Sequence, residues 1–193
     1  DITDPENPNK ITSMSISSVS LSIDDFVVFK DHVYAAAGTN GVIIIDCSEP
    51  ATPKVVSTYI PTTDSGNFSA SDISISADRL CISNDGTKVV LVDVSNPATP
   101  KFIKEFSGSS EITDLSLSDN NAYSTGPKGI QVFNLLEDGL STPVFKSDEP
   151  NTDIESVKAM GNHLFVADKG QSNFKTSLAH NSEDSGHLRI FDA

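Results

Sequence analysis

Cysteine, cationic side chains and long apolar runs are all scarce in this 193-residue chain. Two cysteines, Cys47 and Cys81, with no CxxC pair, exclude a disulfide-dense scaffold, a zinc ribbon and a thioredoxin-type site. Both lie in strand-like runs, where a buried free thiol and a disulfide between neighbouring elements are the two open readings. Lys and Arg number 13 against 27 Asp and Glu, a formal net charge of −14. That balance argues against nucleic acid, whose phosphates need Lys and Arg, and against docking on anionic lipid. No apolar run approaches the roughly 20 residues of a membrane-spanning helix, so no membrane insertion is expected. The nucleotide, zinc-protease, nucleophile-elbow and EF-hand motifs are missing. The chain opens at Asp1 rather than Met, as a processed or excised piece would.

What is present is a repeat. DITDPENPNKI from Asp1, DCSEPATPKVV from Asp46 and DVSNPATPKFI from Asp93 share the pattern Asp-x-Ser/Thr-x-Pro-x-x-Pro. A degenerate copy ends at Pro143, and the C-terminal LRIFDA stops two residues into the motif. The second prolines, Pro8, Pro53, Pro100 and Pro143, are 45, 47 and 43 residues apart. A period of about 40–50 residues is that of a four-stranded propeller blade.

The rest of each unit repeats as well. First comes a run that includes SDISISAD and TDLSLSDN, alternating apolar and polar as half-buried strands do. A second run carries Tyr34, Cys81, Tyr123 or Phe165 at its third position. After a turn with Gly41, Gly86, Gly129 or Gly186 follows a third run: VIIID, VVLVD, IQVFN or LRIFD. A fourth follows the second proline at Lys54–Tyr59, Lys101–Phe106 and Val144–Ser147. These become strands A to D of each blade. Asp46, Asp93 and Asp192 read as turn builders that accept backbone N–H groups, with proline fixing φ where no ladder donor is needed. The four aromatic-slot residues are expected to pack between blades.

GVIIIDCSEPATPKVV and VVLVDVSNPATPKFI resemble the LVIVD repeat family of β-propellers. The resemblance is specific in two copies, partial in the opening segment and degraded in the third and fourth, where Asn134 replaces Asp. It implies a propeller of the kind found mostly in secreted or cell-surface proteins, with no shared catalytic residues. The expected architecture is all-β: four four-stranded blades in one domain, at about 22–60, 70–106, 112–147 and 154–192. The opening segment supplies a D strand, Lys10–Ile16, and the fourth repeat lacks one. Pairing of Lys10–Ile16 with Leu188–Phe191 would close the ring and remove an open edge. Closure within one chain, an eight-bladed ring of two chains and a piece of a longer propeller are the three readings.

Alignment of the A strands puts Asp25, Asp72, Asp114 and Ser156 in one register near a central channel. Three carboxylates around a pseudo-symmetry axis suit Ca²⁺ or Mg²⁺, which take oxygen ligands. The other reading is that each Asp bonds loop N–H groups. The fourth unit carries an insertion, about Lys169 to Gly186, in which Phe174, Leu178 and His180 are candidate partner-binding residues. Asn67-Phe68-Ser69 is a glycosylation acceptor pattern. The function expected first is a non-catalytic extracellular or cell-surface binding module, taking a protein or carbohydrate partner at its loop faces. The alternatives are a metal-assisted hydrolase or lactonase at the channel mouth, with His180 as its base, and an assembly subunit that completes a neighbour's blade.

Overall fold

The computed structural model describes residues 1–16, 21–62, 67–136, 142–146, 154–168 and 187–192. Among these, every regular element is a strand. Blade 1 is β1 (Asp25–Phe29), β2 (His32–Ala36), β3 (Val42–Asp46) and β4 (Lys54–Tyr59). Blade 2 is β5 (Ala70–Ser76), β6 (Arg79–Asn84), β7 (Lys88–Asp93) and β8 (Lys101–Ser107). Blade 3 is β9 (Asp114–Ser118), β10 (Asn121–Gly126), β11 (Gly129–Asn134) and a two-residue β12 (Phe145–Lys146). Blade 4 has three strands: β13 (Ile154–Met160), β14 (His163–Asp168) and β15 (His187–Asp192). Each sheet is an antiparallel meander in chain order. The innermost strands contact one another from β1 to β5, β5 to β9 and β9 to β13.

The turns follow the repeat. Asp46 Oδ1 accepts from Ser48 N at 2.8 Å and Asp93 Oδ1 from Ser95 N at 2.8 Å. Asn134 Oδ1 accepts from Leu136 N at 2.9 Å, so the amide does the work of the missing carboxylate. In the opening copy, Asp1 Oδ1 accepts from Thr3 N at 3.0 Å. The A–B link puts one residue at positive φ in every blade: Lys30, Ala77, Asp119 and Gly161. Gly41, at φ +81°, lies so close to the Tyr59 carbonyl that any Cβ there would collide with it.

Each blade has a leading face, toward the next blade, and a trailing face. The leading side chains Tyr34, Ala36, Val42 and Ile44 of blade 1 pack on the trailing Ile73, Leu80, Ile82, Val90 and Val92 of blade 2. Cys81, Val89 and Leu91 meet Leu115, Leu117, Ala122 and Phe133 of blade 3 in the same way. Tyr123 and Ile130 meet Ile154, Val157, Leu164 and Val166 of blade 4. Three of the four slot residues, Tyr34, Cys81 and Tyr123, are thus buried between blades, as expected. Phe165 is the exception and stays half-buried. It lies on the leading face of blade 4, on which the described residues pack no further blade.

The expected ring joint is not shown among the described residues. Residues 10–16 form no strand, and the sheet of blade 4 ends at β15 among the described residues. Met14, Ile16 and Leu21 pack instead on the trailing face of blade 1, against Ala37, Ile43 and Ile45. The neighbouring-strand contact seen at the three internal joints does not recur between β13 and β1 among the described residues. Both cysteines are free thiols. Cys81 is fully enclosed, and burial pushes its thiol up to about 12.

Candidate functional site

The D–A and B–C connections emerge at one end of the arc, where the A strands begin. Asp25 and Asp114 each reach across a blade joint at this end. Asp25 Oδ2 accepts from Ile73 N at 3.1 Å, and Asp114 Oδ2 accepts from Val157 N at 2.7 Å. Ser156 Oγ donates to the same Asp114 oxygen at 2.6 Å. One position further in, Ser74 Oγ accepts from Leu117 N at 2.9 Å and Ser116 Oγ from Ala159 N at 3.0 Å. The polar residues of the alternating A strands therefore stitch each blade to the next. The loop-bonding reading of these aspartates has the right chemistry, but its principal N–H donors come from the neighbouring blade.

Asp72 shares the register and not the role. The ladder between β5 and β6 shifts between Ala70 and Ile73, a bulge that contains Ser71 and Asp72. Asp72 N donates to Ser83 Oγ at 2.9 Å, while Leu115 N, the donor its carboxylate would have met, bonds Asp114 Oδ1 at 2.8 Å. Burial first, then the charges of Asp114, Asp25 and Asp24, push the Asp72 carboxyl up to about 7. Among the described residues no three His, Cys, Asp or Glu side chains gather at a spacing that would hold a metal ion. Asp25, Asp72 and Asp114 are electrostatic neighbours, with two of the three already committed to backbone donors. Phe174, Leu178 and His180 lie outside the described residues.

Beside the mouth, between blades 1 and 2, is an open cleft of about 660 Å³. Thr39, Thr62, Ser69 and Asp85 offer hydroxyl and carboxylate groups, and Ile60 and Pro61 offer apolar surface. Asn67, exposed as a glycosylation acceptor must be, stands on its rim. Two residues that sequence reasoning passed over hold loops at this end, Asn84 one that lines the cleft and Gln131 the connection from β8 to β9. Asn84, fully buried, accepts from Ser69 N at 2.9 Å and donates to Glu105 at 3.3 Å. Gln131, also buried, accepts from Ser109 N at 2.6 Å and donates to Ser110 Oγ at 3.3 Å. The available signal was a lone amide inside the apolar run IQVF.

Residues 22–60 and 68–107 match the LVIVD repeat. Blades 1 and 2 thus match this repeat. No curated protein matches this sequence. Among solved structures, the computationally designed Ika4 protein is similar at 13% identity and a TM-score of 0.63, with 96% of this chain covering 99% of that one. The WD40 repeats of RRP9 align at 15% identity and a TM-score of 0.62, with 78% of this chain covering 46% of that one. The designed Ika8 protein aligns at 13% and 0.57, with 75% covering 42%. This chain thus spans under half of the latter two. At these identities the likeness establishes the propeller fold alone.

Proposed function

We propose that this protein is a non-catalytic binding module, secreted or displayed at a cell surface, that takes a protein or carbohydrate partner on the face built by its D–A and B–C connections. The observation that carries this is the cleft between blades 1 and 2, with hydroxyl and carboxylate groups beside Ile60 and Pro61 on loops clamped by Asn84. Such a mixture suits a hydroxyl-rich or peptide surface. The commitment of Asp25 and Asp114 to backbone donors speaks against a hydrolytic metal centre at the mouth. The LVIVD resemblance and the exposed Asn67 acceptor support the extracellular setting. Blade 4 is completed in this reading by pairing of residues 10–16 with β15.

The test is an array of oligosaccharides and peptides probed with the wild-type chain and with Ile60→Asp and Asp85→Lys. Retention that both substitutions abolish supports the reading. Retention that survives both, or turnover of an ester or lactone that Asp25→Asn abolishes, overturns it.

A further inference from the structure

Among the described residues three blade joints are formed, and the two halves of a fourth, on blades 4 and 1, are left open. By register with blade 1, the leading face of blade 4 is Lys158, Met160, Phe165, Ala167, Leu188 and Ile190. Its equivalents Tyr34, Val42 and Ile44 are 0–1% exposed, whereas Leu188 and Ile190 are 70% and 58% exposed and Met160 66%. The trailing face of blade 1 shows the complementary deficit. Phe26 and Val28 stand where Ile73 and Ile75 stand in blade 2, and are 60% and 63% exposed.

The opening segment is already placed for the missing strand. Its Asp1 turn repeats the Asp46 and Asp93 turns. Counting from the second proline, Met14 then falls at the position of Tyr59 and Phe106. Those two D-strand residues pack on the trailing side of the following blade, and Met14 does the same on blade 1. Residues 10–16 therefore sit as the D strand of a blade that precedes blade 1. The strand they should pair with is a C strand ending at an Asp-containing turn. β15 is such a strand, and its Arg189 is pinned to Asp168 by an ion pair of 2.7 Å.

We infer that a second copy of this chain supplies that blade: blade 4 of one copy enters the socket formed by residues 10–16 and the trailing face of blade 1 of the other. This rests on the pairing of residues 10–16 with β15 proposed above and names the chain that provides it. Each copy carries both halves, so two identical joints form together and the contact closes after two copies into a ring of eight blades. The joint continues the chemistry of the three already formed. Ser156 falls at the register position of Asp25 and Asp114, ready to accept from Phe26 N of the other copy. Lys158 falls at the register position of Ser74 and Ser116 in blades 2 and 3. Two copies are favoured over self-closure because β13 and β1 do not meet, among the described residues, as the innermost strands do at the three internal joints.

Register opposes Leu188 to Met14 and Ile190 to Thr12, as Val42 opposes Tyr59 and Ile44 opposes Ser57. The experiment is Thr12→Cys with Ile190→Cys in a Cys47→Ser background, oxidised in the 193-residue chain and run without reductant, alongside native mass of the wild type. The expected result is a covalent species of two chains and a wild-type mass of twice 20.5 kDa. Ile190→Glu should raise the dissociation constant about 100-fold or more while far-UV circular dichroism is unchanged. A disulfide confined to single chains overturns the second-copy inference and leaves the strand pairing standing. No disulfide, with a single-chain mass, overturns both. A wild-type mass of three or more copies, or an unchanged dimer in Ile190→Glu, overturns the two-copy ring.

Discussion

Asp72 is the residue whose chemistry departs most from its register mates. Its carboxyl titrates near 7 in the fold and near 3.9 in an exposed chain, so folding tightens its hold on a proton. The stabilisation from that proton is fully present below about pH 4 and is lost as pH rises through about 7. Asp72→Asn should therefore raise the melting temperature at pH 8 and leave it nearly unchanged at pH 4. Allowing for screening by water at the mouth, roughly 1–2 kcal/mol, or about 2–6 °C, is expected. Differential scanning calorimetry at the two pH values measures it, and equal shifts at both would sink the electrostatic account. Tyr123 makes a different test of the core. Truncation to Ala in the joint between blades 3 and 4 should cost ~3–5 kcal/mol in urea unfolding, as other large aromatic deletions do. A cost below about 1 kcal/mol would mean that the joint is not packed as described.

Strand A carries two messages in one alternating sequence. In SDISISAD the isoleucines fill the trailing face, while Ser74 crosses to Leu117 N of the next blade. Ser74→Ala removes the acceptor from a buried N–H and should destabilise by about 1–3 kcal/mol, read by chemical denaturation. No loss would show that water replaces the hydroxyl. The A–B link offers the opposite sign. Ala77 sits at φ +52°, a left-handed conformation that costs an L-residue about 1–2 kcal/mol. Ala77→Gly gives some of this back through the looser unfolded chain, so a net gain of up to about 1 kcal/mol is expected in thermal melts. A loss in those melts would place the strain elsewhere.

For the molecule as a whole, the opening segment is the element on which most depends. Met14, Ile16 and Leu21 cover apolar side chains of blade 1 that would otherwise meet water. Removal of residues 1–16 should lower the melting temperature by several degrees and promote aggregation, because it bares Ile43 and Ile45 next to the exposed Phe26 and Val28. Light scattering during a thermal ramp follows both effects. An unchanged midpoint without scattering would show that the segment is dispensable.

The strands, their order and their turns were legible in the amino-acid sequence because each depends on neighbours within one repeat. Period-two alternation fixes which face a side chain takes, and the Asp-x-Ser-x-Pro corner closes on its own backbone, as Asp46 and Asp93 do. The buried slots of Tyr34, Cys81 and Tyr123 followed from the same register. Tertiary structure alone decided three things. A bulge at Ser71 and Asp72 separated one aspartate from its mates, and local ladder slippage leaves no mark in an aligned register. Asn84 and Gln131 became loop clamps because donors from distant loops, Ser69 and Ser109, converge on them. The seat of residues 10–16 on blade 1 depends on Met14 and Ile16 meeting Ala37, Ile43 and Ile45, a long-range contact that no single repeat encodes.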